Sequence, residues 1–322
     1  MYNNEIIRFA EGERDKWLNL RHQGIGSSEV GTLLGLNPFQ TPYQLWRLKC
    51  GLDTPAPENT AMRRGHYMED AVAQWWSDET GLQVIKASKG DWIIRSTERP
   101  YLMVSPDRTY WLSDHHSNDN KGILECKTTN RPVDKDHLPE HWFTQLQYQL
   151  GVAGLSKGHL AWIYAGRDFD SIEVDFDPDF FSWLVEEVDN FWNNNILARQ
   201  EPSLLSSDDV LRKYNSHIPS KIVEIDDNAF QQYKLLMQTK DSIKQLEDTK
   251  STCEDALKLL FLDAEAISYK GQILATWKKS KDSERFDDKR FRSEHPDIAK
   301  DYIVTKEGPR TFLTKKLKDV SD

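Results

Sequence analysis

The sequence predicts an α/β or α+β fold in which a mixed central sheet is flanked by helices. Residues 17–36 are expected to form a helix end, a glycine-bearing turn and a short helix, and further helices are expected over 41–49 and 60–80. A meander of apolar, strand-like runs follows, bounded by glycine, proline and polar turns: LQVIKA, DWIIRS, YLMVSPD, TYWL and ILECKT. One more helix-like segment, 139–154, leads to two further strand-like runs, HLAWIYAG and SIEVDFD. This order of helices, a meander, a helix and then strands predicts a sheet with mixed strand directions.

Capping and glycine signals set the ends of the predicted helices. Ser27 or Ser28 is expected to cap a short helix, because a hydroxyl accepts a hydrogen bond from an N–H group of the first turn. That helix is expected to stop near Gly35, and two later helices at Gly81 and Gly154. Glycine readily takes the left-handed conformation that ends a helix.

A stretch rich in serine and proline divides the chain, which has 322 residues. We predict a large domain over residues 1–203, a linker over 204–221 and a smaller C-terminal domain over 222–322. In the last of these, mostly apolar residues recur at alternating steps of three and four from 236 to 260. The pattern predicts a long amphipathic helix that needs a partner. Three partners are open for this helix: another part of the chain, another subunit or a partner protein.

The rest of the C-terminal domain is predicted to form β-hairpins around a short helix near 287–293. The hairpin strands are expected in SYKGQILATWKKS and YIVTKEGPRTFLTKK. The basic stretches WKKSK and LTKKLK suit contact with DNA or a partner, and they equally suit a solvated surface.

Composition and charge exclude several classes of protein. The sequence holds no apolar run long enough to cross a bilayer, so no membrane contact is expected. The first residues lack the regions of a secretory signal, and the three cysteines lie far apart, which together favour reduced thiols in a cytoplasm. The formal net charge of −10 disfavours DNA binding over the whole surface. Basic residues confined to one groove would still allow it.

A glutamate and a lysine lie inside the strand-like run ILECKT. Side chains alternate along a strand, so Glu125 and Lys127 point to one face and Cys126 to the other. A solvated ion pair on a surface strand is one interpretation. Asp107, at the end of the apolar run YLMVSPD, favours another, because two neighbouring strands can place Asp107 beside Glu125.

Two carboxylates forced together repel each other unless one is protonated or a cation lies between them. Mg²⁺ suits such a site, because it prefers oxygen ligands and takes one or two protein carboxylates. It polarises a phosphoryl oxygen and acidifies a bound water, while a neighbouring lysine orients that water or neutralises developing charge. Histidines and cysteines do not cluster at zinc spacing. The pattern therefore predicts an Mg²⁺ site, with Mn²⁺ as a substitute.

Four blocks of sequence resemble the phage lambda exonuclease and YqaJ-like viral recombinase family of PD-(D/E)XK nucleases. They occur in the family's order: WLNLRHQGIGSSEVGTLLGLNPFQTPYQLW, RRGHYMEDAVAQWW, SPD followed by ECK, and TQLQYQL. The resemblance implies a restriction-endonuclease-like core that digests one strand of linear duplex DNA from its 5′ end. The 3′ overhang would serve a single-strand annealing protein, in a bacterial or phage-infected cell. A ring-shaped homotrimer follows by analogy only.

The resemblance also implies the roles of the residues around ECK. Asp107 and Glu125 would be metal ligands, together with the backbone carbonyl of Cys126. Lys127 would be the catalytic lysine.

Four further residues correspond to functional positions of the family, and each has a simpler interpretation. Glu69 would complete the active site, or lie exposed at the edge of an apolar helix stripe. Gln145 would complete it too, by orienting water, or it would merely cap a buried carbonyl. Arg21 and Ser28 correspond to the positions that grip the terminal 5′ phosphate, while Ser28 also suits ordinary helix capping.

The chain departs from the family pattern next to the carboxylates. Arg108 stands where glycine usually follows SPD, and Thr128 where proline often follows the lysine. Neither change removes a ligand. We expect Arg108 to face the DNA or to form an ion pair.

Two other functions are open at this level. One is a noncatalytic protein that binds or assembles on DNA ends with the same fold. The other is an endonuclease or the nuclease module of a helicase complex. The complete set of aspartate, glutamate and lysine favours an active nuclease over the noncatalytic alternative.

Overall fold

The computed structural model describes residues 3–55, 57, 59–85, 92–117 and 120–315. It divides the chain into two compact units, Met1–Lys213 and Tyr214–Asp322. The first residues of the predicted linker belong to the first unit. Asp209 is fully buried there and accepts hydrogen bonds from Thr41 Oγ1 and Leu205 N. The stretch is rich in serine, but this buried carboxylate fixes it to the large unit.

The described strands of the first unit are β1 (Asn4–Arg8), β2 (Val84–Ile85), β3 (Trp92–Ser96), β4 (Met103–Val104), β5 (Arg108–Trp111), β6 (Lys121–Thr129), β7 (Lys157–Tyr164) and β8 (Asp168–Asp175). Among them, β2, β5, β6, β7 and β8 form a five-stranded sheet in that order. Strands β6 and β7 run parallel and the other pairs antiparallel. A smaller antiparallel sheet has the order β1, β3, β4. The predicted run LQVIKA ends in residues 86–87, which lie outside the described residues.

The described helices of the first unit are α1 (Arg14–Arg21), α2 (Ser27–Leu33), α3 (Pro42–Lys49), α4 (Thr60–Thr80), α5 (Glu140–Ala153), α6 (Pro178–Asn190) and α7 (Ser207–Lys213). A π-helical segment, Phe191–Leu197, continues α6. Gly81 and Gly154 end α4 and α5 in the left-handed conformation, each at φ 70°, which confirms both predicted stops.

The predicted cap of α2 is wrong. Gly26, not Ser27 or Ser28, is the N-cap, and its N–H donates to Glu29 Oε2 at 2.8 Å. A glutamate three residues after the cap satisfies this N–H in place of a hydroxyl. Both serines are therefore the first residues of the helix, and their hydroxyls are available for other contacts.

Strand β6 lies between two helices, one on each face of the main sheet. Leu124 and Cys126 pack with Val72 and Trp76 of α4, while Ile123 packs with α5 on the other face. The fold class predicted from the sequence is confirmed: a mixed central sheet flanked by helices. Within the described residues, no helix combines the length and apolarity needed to span a bilayer.

Two glycines allow α2 to lie close to α5 and to the small sheet. A Cβ at Gly31 would lie 3.0 Å from His141 Cβ of α5, and one at Gly24 would lie 2.5 Å from Tyr101 O. The turn before α2 is also bonded to this sheet edge, since Ile25 N donates to Tyr101 O at 2.7 Å. The start of α2 is thereby fixed beside α5.

The second unit contains α8 (Asp227–Lys258), a hairpin of β9 (Ala266–Tyr269) and β10 (Gln272–Thr276), α9 (Asp288–Glu294) and α10 (Pro296–Asp301). The long helix, the first hairpin and the short helix were predicted. The second hairpin is wrong, because residues 302–315 form no strand. Gly308 and Pro309 interrupt this run, and proline cannot donate to a strand ladder.

Candidate active site

Glu125 and Lys127 of β6 point to the same face of the sheet. Lys127 Nζ lies 2.7 Å from Glu125 Oε1, and the two side chains are only 19% and 3% exposed. Cys126 packs on the opposite face against α4. Burial of this extent excludes the interpretation of a solvated ion pair on the surface.

Two glutamines of α5, one helical turn apart, hold the Glu125 carboxylate. Gln145 Nε2 donates to Glu125 Oε1 at 2.5 Å, and Gln145 Oε1 accepts from Lys127 Nζ at 2.8 Å. Gln149 Nε2 donates to Glu125 Oε2 at 2.8 Å. Gln145 therefore fixes both the carboxylate and the amine, rather than capping a backbone carbonyl.

Asp107 lies where the chain leaves the small sheet and enters the main one. The run YLMVSPD does not continue as one strand, because β4 pairs with β3 while β5 pairs with β6. Asp107 Oδ2 accepts a hydrogen bond from Cys126 N at 2.8 Å. In a strand the N–H and C=O of one residue point to the same side, so the Cys126 carbonyl faces the edge where Asp107 lies. The strand that follows Asp107, not the strand before it, brings it to Glu125.

Glu69, Asp107, Glu125 and Lys127 form a group that we call the acidic cluster. Burial and the charges within this cluster affect the ionisation of its members. Burial raises the pKa of Asp107 well above its usual value, and the charges of Glu125 and Glu69 raise it further. Burial also raises the pKa of Glu69, against the effect of nearby cations. For Lys127, burial lowers the pKa, but the charges of Glu125 and Asp107 outweigh burial and the pKa is raised. The lysine therefore stays protonated at neutral pH.

The raised pKa of Asp107 predicts how stability depends on pH in EDTA. A carboxyl whose pKa is higher in the folded than in the unfolded state favours folding below the unfolded value of about 3.9. That contribution is lost as the pH rises through the folded pKa. We expect the free energy of unfolding, from urea titrations between pH 4 and pH 9 at constant ionic strength, to fall more in the native chain than in Asp107→Asn. Parallel curves for the two proteins would contradict this.

Arg108 is pinned beside Asp107 by an ion pair rather than extended toward solvent. Its Nη2 lies 2.7 Å from Asp70 Oδ1 of α4, and its Nη1 donates to the Asp107 carbonyl at 2.5 Å. The structure shows the predicted ion pair, and Arg108 also lines the cleft described below. The guanidinium thus fastens the start of β5 to α4.

Arg21 and Ser28 meet at the start of α2. Arg21 Nη2 donates to Ser28 Oγ at 3.2 Å. Trp17 supports the arginine, whose guanidinium carbon lies 4.7 Å from the ring centroid, and Arg14 approaches the same ring at 4.4 Å. Two guanidinium groups are thus held against one buried indole.

One cleft of about 500 Å³ connects the acidic cluster with these arginines. Its lining includes basic side chains, serines and the acidic residues of the cluster: Arg14, Arg21, Ser27, Ser28, His66, Glu69, Asp107, Arg108 and Gln145. The cleft therefore offers cations for phosphate groups and carboxylates for a metal ion in one space.

The acidic cluster fits a magnesium ion by the chemistry of its donors. Glu125 Oε1 accepts two hydrogen bonds and Oε2 one, so among described contacts Oε2 keeps a lone pair. Asp107 uses Oδ2 for the Cys126 N–H. The structure shows no group of three His, Cys, Asp or Glu side chains within the described ranges that could enclose a metal alone. Mg²⁺ does not need one, because it keeps waters and phosphate oxygens as ligands.

The contacts that fix the start of α2 were not predicted from the sequence. Lys49 is almost fully buried, and its Nζ lies 2.8 Å from both Glu29 Oε2 and the Arg21 carbonyl. The order GSSE, with Glu29 three residues after Gly26, is the signal for the capping glutamate. No local pattern marks Lys49 as its partner.

A mixed sheet that brings Asp107, Glu125 and Lys127 together beside a cleft defines the class of PD-(D/E)XK nuclease-like folds. Comparison with known proteins is more specific. Residues 16–156 match the YqaJ-like viral recombinase domain. The chain is also 29% identical over 307 residues to the uncharacterized protein YqaJ of Bacillus subtilis (strain 168), covering 91% of this chain and 92% of that protein.

Solved structures with a similar fold include exonucleases. The alkaline exonuclease LHK-Exo of Laribacter hongkongensis is 17% identical and matches with a TM-score of 0.44, over 57% of this chain and 93% of that one. Its complex with dAMP matches over the same shares at 17% identity, with a TM-score of 0.45. A phage-related exonuclease from Haemophilus somnus 129PT is 10% identical, with a TM-score of 0.38, over 56% of this chain and 99% of that one.

Proposed function

We propose that the chain is an Mg²⁺-dependent exonuclease that digests one strand of linear double-stranded DNA from its 5′ end. The product would carry a 3′ single-stranded overhang suited to recombination by strand annealing. One observation carries the proposal: Asp107 of the acidic cluster and its neighbour Gln145 line the same cleft as Arg21 and Ser28. A basic pocket beside a metal-binding pair suits a substrate that ends in a 5′ phosphate.

The residues of the acidic cluster would have different roles in hydrolysis. Water attacks the phosphorus, a P–O bond forms and the P–O3′ bond breaks, with a proton passing to O3′. Asp107, Glu125 and the Cys126 carbonyl would hold the divalent ion, which polarises the phosphoryl oxygen and acidifies water when bound. Lys127, protonated because of its raised pKa, would stabilise negative charge on the phosphate oxygens. Gln145 is hydrogen-bonded to both Lys127 and Glu125 and keeps these two side chains in place.

Each cleavage would produce a new DNA end of the kind that the pocket binds. Cleavage of P–O3′ leaves a phosphate on the 5′ side of the shortened strand, so each turn recreates the group that Arg21 and Ser28 would bind. A single terminal phosphate is therefore enough to start repeated digestion.

Digestion of three substrates tests the proposal against its alternatives. Linear duplex with 5′ phosphates, linear duplex with 5′ hydroxyls and closed circular duplex would be incubated with Mg²⁺ or EDTA. We expect nucleotides from linear DNA in Mg²⁺ only, faster with phosphorylated ends, and intact circles. Cut circles would instead indicate an endonuclease, and end binding without release of nucleotides would indicate the noncatalytic alternative.

Arg21→Ala is expected to reduce the preference for phosphorylated ends. A charge-assisted contact to phosphate contributes about 1.5–3 kcal/mol, so the ratio of kcat/KM for phosphorylated over hydroxyl ends should fall by about tenfold or more. Arg167→Ala is a matched control, since Arg167 pairs with Asp168 at 3.0 Å on the turn between β7 and β8. An unchanged ratio in Arg21→Ala, or an equal loss in the control, would remove Arg21 from the end-binding pocket.

The cellular location, the partner protein and the oligomeric state are proposed from the family resemblance. The chain would act in the cytoplasm of a bacterium or phage-infected cell, hand its 3′ overhang to a single-strand annealing protein, and assemble as a ring-shaped trimer around DNA. Sedimentation equilibrium of the full chain tests the last of these, with three times the monomer mass as the expected result.

A further inference from the structure

Gln149 is a buried amide that connects the two functional parts of the cleft. Its side chain is fully buried, and Nε2 donates to Ser27 Oγ at 3.2 Å and to Glu125 Oε2 at 2.8 Å. The residue after Ser27 is Ser28, whose hydroxyl accepts from Arg21. A series of contacts thus runs from the proposed phosphate pocket to a proposed metal ligand.

The two serines at the start of α2 face in different directions. Ser28 is exposed, whereas Ser27 is buried. Successive residues of a helix project about 100° apart on a rigid backbone. A change in the first turn of α2 therefore moves both hydroxyls together, one in the cleft and one against Gln149.

The orientation of the Gln149 amide is fixed by its partners. If the amide were flipped, Gln149 Oε1 would face Glu125 Oε2, and two acceptors would repel each other. In the observed orientation Oε1 is buried and has no hydrogen-bond partner among the residues that the structure describes. An unpaired buried acceptor is unfavourable, and an apolar side chain of similar size would fill the space without it. Packing alone therefore does not account for an amide here.

We infer that Gln149 is a positioning residue that couples binding of the 5′ phosphate to binding of the divalent ion. The inference rests on the proposed function and deepens it. Phosphate bound at Arg21 and Ser28 fixes the first turn of α2, and with it Ser27. Ser27 in turn fixes the Gln149 amide, which bonds to Glu125 Oε2 and would thereby orient this carboxylate for binding the ion. By linkage, each ligand then raises the affinity for the other by the same factor.

Manganese affinity measured with two DNA ends tests this coupling. The native chain and its variants would be titrated with Mn²⁺, followed by electron paramagnetic resonance, with a hairpin duplex bearing either a 5′ phosphate or a 5′ hydroxyl. Phosphorothioate linkages at the open end would slow its hydrolysis. We expect the phosphate to tighten Mn²⁺ binding by about tenfold in the native chain and by less than about twofold in Gln149→Met.

Gln147→Met is the matched control on the same helix. Gln147 is also fully buried, but it bonds to Asp175 O at 2.7 Å and Asp177 N at 2.9 Å, away from the cluster. The phosphate effect on Mn²⁺ affinity should persist in this variant, although it too loses buried hydrogen bonds.

Ser27→Ala removes the same hydrogen bond to Gln149 from the side of the serine. It tests the coupling if Gln149→Met does not fold. It should abolish the phosphate effect, and the double variant should lose nothing further. Retention of the effect in both single variants would overturn the inference. A native chain that binds no Mn²⁺ and leaves linear DNA intact would instead overturn the proposed function. Digestion and Mn²⁺ binding that proceed normally without any phosphate effect would overturn the coupling alone.

Discussion

Glu125→Gln is expected to lower the rate of DNA digestion by about 10³-fold, since loss of the carboxylate that we propose as a metal ligand would remove several kcal/mol of transition-state stabilisation. Glutamine keeps the shape of the side chain but removes the charge that attracts the ion. It also turns an acceptor into a donor where Gln145 and Gln149 both donate. The measurement is the initial rate of nucleotide release from a 5′-phosphorylated linear duplex at saturating Mg²⁺.

The control for this substitution is Glu173→Gln. Glu173 lies on β8, is 49% exposed and pairs with Lys157 at 2.6 Å, so the same chemical change is made at a surface ion pair. Its rate should remain close to that of the native chain. Circular dichroism would establish that both variants are folded. A folded Glu125→Gln variant that keeps a tenth or more of the native rate would remove Glu125 from the catalytic centre.

Lys127→Met is expected to lower kcat by about 10²–10³-fold, the usual effect of removing one group that stabilises charge in the transition state. The KM for DNA should change little, because the amine is buried against Glu125 and Gln145 rather than placed at the mouth of the cleft. Loss of the ammonium also removes a positive charge that opposes the raised pKa of Asp107 and lies 2.7 Å from Glu125 Oε1. We therefore expect Mg²⁺ to raise the Tm of this variant more than that of the native chain.

Lys121→Met is the matched control for the lysine. Lys121 begins the same strand, and its ammonium lies 4.8 Å from the Trp111 ring centroid. Single-turnover rates of both variants, with melting curves at several Mg²⁺ concentrations, separate chemistry from stability. Equal kcat values for the two variants would show that Lys127 has no special role.

Local signals in the sequence were enough to predict most of the described helices and strands, and to place Glu125 and Lys127 on one face of a strand. Glycines after periodic segments gave the ends of α4 and α5. Alternation along ILECKT placed Glu125 and Lys127 on one face, because the period of a strand does not depend on its surroundings. Such features are fixed by neighbours in the chain, so a single sequence contains them.

The features that were not predicted depend on contacts between distant segments. The division of YLMVSPD between two sheets is set by strand partners, not by the run itself. Arg108 is held by Asp70, which is 38 residues away in the chain. Gln149 has partners that no local pattern indicates, since Ser27 and Glu125 are 122 and 24 residues away. Only the folded chain brings these groups together.

The central claim is that Asp107 and Glu125 share one divalent ion. Crystals of the full chain grown with Mn²⁺ and a short 5′-phosphorylated duplex would test it through an anomalous difference map. The account predicts a manganese peak bounded by carboxylate oxygens of both residues and by the Cys126 carbonyl. A map in which manganese lies elsewhere, or in which the two carboxylates remain without an ion at saturating Mn²⁺, would contradict it.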